Sequence, residues 1–177
     1  MQEPMKEIKG FFKELLSIVL VAFILAMILR TFVVEGRIIP TGSMLPTIQL
    51  QDRVMVNKFV YWFTEPERGD IVVFQPPDII GQEDDYIKRV IGVPGDIIQV
   101  KDGKVYINGE PLEEPYIAEA PNYEFGPVTV PEDSLFVMGD NRNQSFDSHA
   151  WNGWLTMDHL KGEAFMIYWP VKHIRMF

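Results

Sequence analysis

Tyr86-Ile87-Lys88-Arg89-Val90-Ile91-Gly92-Val93-Pro94-Gly95-Asp96-Ile97-Ile98-Gln99-Val100-Lys101-Asp102-Gly103-Lys104-Val105-Tyr106-Ile107 is the stretch from which the fold is read. Runs rich in β-branched and aromatic residues alternate with Pro-Gly and Asp-Gly punctuation. That predicts a strand over Tyr86–Gly92, closed by Pro94-Gly95, and then a hairpin of Ile97–Val100 and Val105–Ile107 about a two-residue turn. Asn108-Gly109 marks the next reversal. Similar short runs occur outward in both directions: Val54–Val60, Asp70–Phe74 ending before Pro76-Pro77, Leu135–Met138 and Phe165–Trp169. The only helical turn expected after Glu35 lies around Thr156–Leu160. The outline is all-β, built of short antiparallel strands. Residues 101–131 carry five prolines and read as a loop-rich, small subdomain over the main sheet. Glu83-Asp84-Asp85 and Glu113-Glu114 read as solvated loop charges.

The first 34 residues follow a different pattern. Leu15 to Leu29 contains no charge and one polar residue, Ser17, and the apolar character resumes at Phe32-Val33-Val34. Leu15–Val34 is therefore long enough to span a bilayer, for which about 20 residues are needed. Arg30 near its far end can snorkel to the headgroups. Lys6, Lys9 and Lys13 place the N-terminus in the cytoplasm by the positive-inside rule. A cleavable signal would need a small-x-small site where Arg30, Thr31, Phe32 and Val33 stand. A buried core helix would need a larger domain to cover it. The expected organisation is a cytoplasmic N-terminus and transmembrane anchor over 1–34, with a catalytic domain over 35–177 outside.

The chain has 177 residues, 47% of them apolar, and no cysteine, which excludes disulfides and thiolate-bound metals. Acids and bases balance over residues 1–35, so the net charge of −9 sits on the remainder. An acidic body repels phosphate backbones and argues against nucleic acid as a partner.

Two features carry chemistry. Pro40-Thr41-Gly42-Ser43-Met44-Leu45-Pro46-Thr47 sets a lone serine in a stiff turn, and Lys88 follows 45 positions later among apolar strand residues. A serine needs a base, and His149, His159 and His173 lie in no recognisable triad. Lysine can serve if it is neutral. An unperturbed lysine is neutral only about once in 2,500 molecules at pH 7, and bringing its pKa near 7 costs on the order of 5 kcal/mol. Burial among Ile87, Val90 and Ile91 supplies such a shift. A third block, Gly139-Asp140-Asn141-Arg142-Asn143-Gln144-Ser145-Phe146-Asp147-Ser148-His149, is dense in hydrogen-bonding groups. Asp140, Asn141 and Asp147 could be read as a calcium loop, but the spacing lacks the EF-hand rhythm.

The three blocks PTGSMLPT, YIKRVIGVPGD and GDNRNQSFDSH, with RGDIVVF at Arg68–Phe74, together resemble bacterial type I signal peptidases, membrane-bound serine-lysine proteases that remove signal peptides from exported proteins. Their order and the N-terminal anchor match as well. The resemblance implies Ser43 as nucleophile and Lys88 as general base, with no metal and no cofactor. It implies an oxyanion hole of the Thr41 hydroxyl and the Ser43 N–H, and Ser145 orienting the lysine amine. Arg89 and Asp140 are implied as a supporting ion pair, with Asp147 in the same scaffold. His149 stands where many members carry arginine, which leaves the ion pair with Asp147 open. The short connection from Pro94 to Val137 implies a minimal accessory β-subdomain over about 95–137. The expected substrate is a signal peptide bound as an added strand beside Asp85-Tyr86-Ile87, with Ile39, Pro40, Met44, Ile48, Tyr86 and Ile87 lining shallow apolar pockets. The expected location is the cell membrane, single-pass; the SFDSHAW wording leaves a thylakoid membrane open. Phe59, Tyr61, Trp62 and Phe63 are candidates for contact with the bilayer interface. Two other readings compete. A self-cleaving repressor would carry a DNA-binding domain where the apolar segment stands, and a membrane-tethered peptide-binding domain that does not cut would have lost Ser43, Lys88 or Thr41.

Overall fold

The computed structural model describes residues 3–177 except 83 and 152, with side chains described for 10–27 and from Val33 onward. Glu83 and the side chain of Arg30 therefore lie outside the described residues. The chain opens with α1 (Glu3–Phe32), whose Gly10–Met27 stretch has a mean hydropathy of 2.1 and is not covered by the rest of the protein. Eighteen helical residues rise about 27 Å, close to the thickness of a hydrocarbon core. The helix ends before Val34, because residues 34–38 are already strand β1 (Val34–Ile38). A run of valines after an aromatic favours pleated backbone once a partner strand is available.

That partner is β2 (Arg53–Asn57), paired antiparallel with Val34 opposite Asn57. The main sheet continues with β3 (Ile71–Phe74), β4 (Tyr86–Gly92), β9 (Ser134–Met138), β10 (Leu155–Thr156), β11 (Leu160–Trp169) and β12 (Arg175–Met176). Its order is β1-β2-β11-β3-β4-β9-β10, with β12 beside β11, and every pairing is antiparallel. The second sheet comprises β5 (Ile97–Lys101), β6 (Lys104–Ile107), β7 (Glu110–Pro111) and β8 (Phe125–Thr129), in the order β7-β6-β5-β8. It spans residues 97–129, and Ser134–Met138 returns to the main sheet.

The predicted hairpins form as read. Lys101 faces Lys104 across Asp102-Gly103, and Ile107 faces Glu110 across Asn108-Gly109; all four turn residues have positive φ. That is the requirement of a two-residue turn matched to strand twist. The proline-rich stretch after Pro111 is not all loop: Phe125–Thr129 makes an edge strand, where Pro127 is tolerated because edge positions leave N–H groups unused. Within Thr156–Leu160 the helical part is a 3-10 turn, Met157–His159, between β10 and β11.

β4 sits inside the main sheet, between β3 and β9, and six of its seven residues are buried. Val72, Phe74, Val90, Leu135 and Val137 form one core cluster. Ile91, Ile98, Phe136 and Met138 form another beneath the second sheet. A third gathers Ile39, Met44, Ile48, Val54, Val56 and Ile87. Burying so much apolar surface on both sides of β4 holds its backbone firmly, and Lys88 inherits that rigidity.

Candidate active site

Residues 39–52 form a compact excursion between β1 and β2. Its ends are tied by Ile39 N–H to the Asp52 carbonyl (3.0 Å) and Gln51 N–H to the Ile39 carbonyl (2.8 Å). Inside it, Leu45 N–H returns to the Gly42 carbonyl (3.1 Å) and Ile48 N–H to the Met44 carbonyl (2.9 Å). One turn of this kind brings positions i and i+4 to one side, and both side chains are fully buried in the core. Met44 and Ile48 are therefore anchors of the loop, not walls of the cleft, where the sequence reading placed them. Asp52, itself buried, accepts Gln49 N–H (2.8 Å) and faces His173 Nδ1 (2.6 Å).

Ser43 sits on this excursion and Lys88 on β4, opposite Val72. Lys88 Nζ is 2.8 Å from Ser43 Oγ and donates to the Ile87 carbonyl (3.0 Å). The Tyr86 ring, two positions away on the same strand, has its centroid 5.1 Å from the amine. Lys88 is 4% exposed and Ser43 8%. Burial pushes the lysine pKa down from 10.5 to about 8, and the negative charge of Asp147 partly opposes the shift. Thr41 Oγ1 lies 3.5 Å from Ser43 Oγ.

The third block docks against the first. Asn141 N–H donates to the Ser43 carbonyl (3.0 Å), and its side-chain amide to the Gly42 carbonyl (3.1 Å). Asp140, fully buried, takes a two-point bond from Arg89 (2.9 and 2.7 Å) and the Thr47 hydroxyl (2.5 Å). Arg89 also donates to the Gly69 carbonyl (2.9 Å). Asp147, also fully buried, accepts Gly139 N–H (2.9 Å) and pairs with His149 Nδ1 at 2.6 Å. Histidine thus pairs with this carboxylate, and its ring stacks on Tyr123 at 4.1 Å. The carboxylates considered as calcium ligands are both engaged with protein groups. The Ser145 hydroxyl is buried and has no hydrogen-bond partner among the described residues, while the Lys88 amine is bonded to Ser43 and to the Ile87 carbonyl.

A cleft of about 560 Å³ opens beside the pair, walled by residues 37–43 on one side and 84–88 on the other. Ile39, Pro40, Asp85, Tyr86 and Ile87 line it, and so do Gln144 and Phe146, which the sequence reading passed over. Phe146 was discernible as the one aromatic in an otherwise polar block. Asp85 is not a solvated charge: it pairs with Arg37 (3.0 Å) and Lys161 (2.5 Å), and so joins the two walls. Glu114, also taken for a solvated charge, is buried and paired with Arg142.

Gly139 marks how closely these parts meet. A Cβ there would lie 2.4 Å from the Ser43 carbonyl oxygen and 2.3 Å from Ser145 Oγ. Gly139→Ala is expected to displace the serine loop and lower kcat about 100-fold, with the far-ultraviolet circular dichroism unchanged.

The family model described as "Signal peptidase, peptidase S26" matches residues 12–169. The sequence is 49% identical to "Probable signal peptidase I-2" of Synechocystis sp. over 164 residues, covering 91% of this chain and 75% of the relative. It is 49% identical to "Signal peptidase I" of Leptolyngbya laminosa, covering 85% and 76%. It is 40% identical to "Thylakoidal processing peptidase 1, chloroplastic" of Arabidopsis thaliana, covering 84% of this chain and 46% of that one. With a family model over most of its length and relatives near half identity that it largely covers, the chain belongs to the signal peptidase family, peptidase S26.

Proposed function

We propose that this member of the family is a membrane-anchored endopeptidase that removes signal peptides from exported preproteins, with Ser43 as nucleophile and Lys88 as general base. The observation that carries the reading is the 2.8 Å approach of a buried lysine amine to a serine hydroxyl at the floor of a peptide-sized cleft. Neutral Lys88 accepts the Ser43 proton as Oγ attacks the carbonyl before the scissile bond. The tetrahedral oxyanion is held by Ser43 N–H and the Thr41 hydroxyl. The resulting ammonium gives its proton to the departing amine, and water, activated by the same lysine, releases the acyl group. Once the amine turns from the Ile87 carbonyl, the unpaired hydroxyl of Ser145 is available to orient it, while Arg89, Asp140 and Asp147 keep the surrounding loops in place.

The substrate lies extended along Asp85-Tyr86-Ile87, where Ile39 and Pro40 face it across a narrow cleft that favours small side chains. Helix α1 anchors the enzyme, with Lys6, Lys9 and Lys13 on the cytoplasmic side and the catalytic domain over 35–177 outside. Trp62 and Phe63, 67% and 73% exposed, supply an aromatic contact for the bilayer interface, whereas Tyr61 turns inward to Asp70.

Ser43→Ala, Lys88→Ala and Lys88→Arg should each abolish preprotein cleavage in detergent while remaining folded. Arginine fails because it stays protonated, so cleavage by Lys88→Arg would identify another base. Thr41→Ala should slow cleavage by about 100-fold or more, and Thr41→Ser far less. Equal losses would remove this hydroxyl from the oxyanion hole. The pH profile should follow Lys88. kcat/KM rises with pH to a plateau above an apparent pKa near 8, since the protonated amine cannot accept a proton. A profile flat from pH 6 to 9 would contradict the assignment.

A further inference from the structure

Arg142 is among the largest fully buried side chains of the described residues, and its counter-charge comes from the connection between β7 and β8. Its guanidinium meets Glu114 at 2.9 Å (Nη1) and 2.7 Å (Nη2), and its Nε donates to the Gly139 carbonyl (3.0 Å). Tyr116 donates its hydroxyl to Glu114 (3.0 Å) and lays its ring over the Arg89 guanidinium, 4.0 Å from centroid to Cζ. Further along the same connection, Asn122 N–H bonds the Asn143 side chain (2.9 Å), Asn143 bonds the Ala120 carbonyl (3.1 Å), and Tyr123 stacks on His149. The connection between β7 and β8 therefore grips the third block at Arg142, Asn143 and His149.

Resting on the serine-lysine reading above, we infer that residues 114–123 are a latch that positions the nucleophile, with Glu114 and Tyr116 as its positioning residues. Lys88 is placed by the interior of the main sheet. Ser43 is placed differently: its carbonyl is held by Asn141, beside Arg142, and presses against Gly139, whose own carbonyl Arg142 grips. Without Glu114, a buried cation in the middle of this block loses its counter-charge. Residues 139–142 then shift, and Ser43 shifts with them while Lys88 stays. Tyr116 fixes the other side, because the Arg89 it covers is bound to Asp140. The β7–β8 connection thus contributes to catalysis without lining the cleft.

The test uses the full chain in detergent with an internally quenched peptide carrying alanine before the scissile bond. It compares Glu114→Gln, Tyr116→Leu, Tyr116→Phe and, as a control on an exposed neighbour, Glu113→Gln. Glu114→Gln and Tyr116→Leu should lower kcat about tenfold or more with KM within about twofold, since geometry at the serine is lost and the cleft is not. Tyr116→Phe should recover most of that rate, and Glu113→Gln should match the wild type. If Glu114→Gln and Tyr116→Leu keep kcat within about twofold, even with a lower melting temperature, the latch is structural only and the inference fails. Should Glu114→Gln not fold, Tyr116→Leu decides, because it strands no buried charge. Cleavage by Lys88→Arg would overturn the underlying dyad instead, whatever the latch variants do.

Discussion

The structure turns on a lysine amine kept out of water within hydrogen-bonding distance of a serine hydroxyl. Moving Lys88 from 10.5 to about 8 corresponds to about 3 kcal/mol of unfavourable protonated state. The sign is unfavourable to folding at neutral pH. The unfolded chain binds the proton more tightly, so the cost is carried in full below about pH 8 and fades as pH rises toward the ordinary lysine range. A protein accepts such a group only where the surrounding strands are too well packed to admit water. β4, buried along nearly its whole length between β3 and β9, is such a place.

The serine is supported by different means. It stands on an irregular excursion whose apolar side chains, Met44 and Ile48, reach down into the core while the Gly139–Arg142 segment braces its carbonyls from the side. Two buried carboxylates do the bracing without entering the chemistry. Asp140 joins Arg89 to Thr47, and Asp147 joins the Gly139 amide to His149. Each is fully satisfied, which is the condition under which a buried charge fixes a geometry instead of loosening it.

Much of this was legible in the residues. The hairpins were announced by Asp102-Gly103 and Asn108-Gly109, since few pairs accept positive φ at both central positions. β4 was read to the residue because Tyr86, Ile87, Val90 and Ile91 favour pleated backbone between a charged loop and the stop at Pro94-Gly95. What failed was burial of polar groups. Glu114 and Asp85 look like solvated charges because the arginines that pair with them lie 28 and 48 positions away. Met44 and Ile48 were put in the pocket walls by the family resemblance, and their four-residue spacing in a proline-bounded turn does not say which side of the loop they occupy. Phe125–Thr129 was hidden by Pro127, which marks an edge strand only once the rest of the sheet is known.

The passage from membrane helix to catalytic sheet is equally spare. α1 ends at Phe32 and β1 begins at Val34, so a single residue, Val33, joins them. Two backbone torsions offer little slack. The strand they feed carries Arg37 and leads directly to Ile39, both in the wall of the cleft itself. With α1 lying in a bilayer, so short a joint would keep the cleft near the lipid surface, and the reach of a polypeptide beyond that surface would bear on where it is cut.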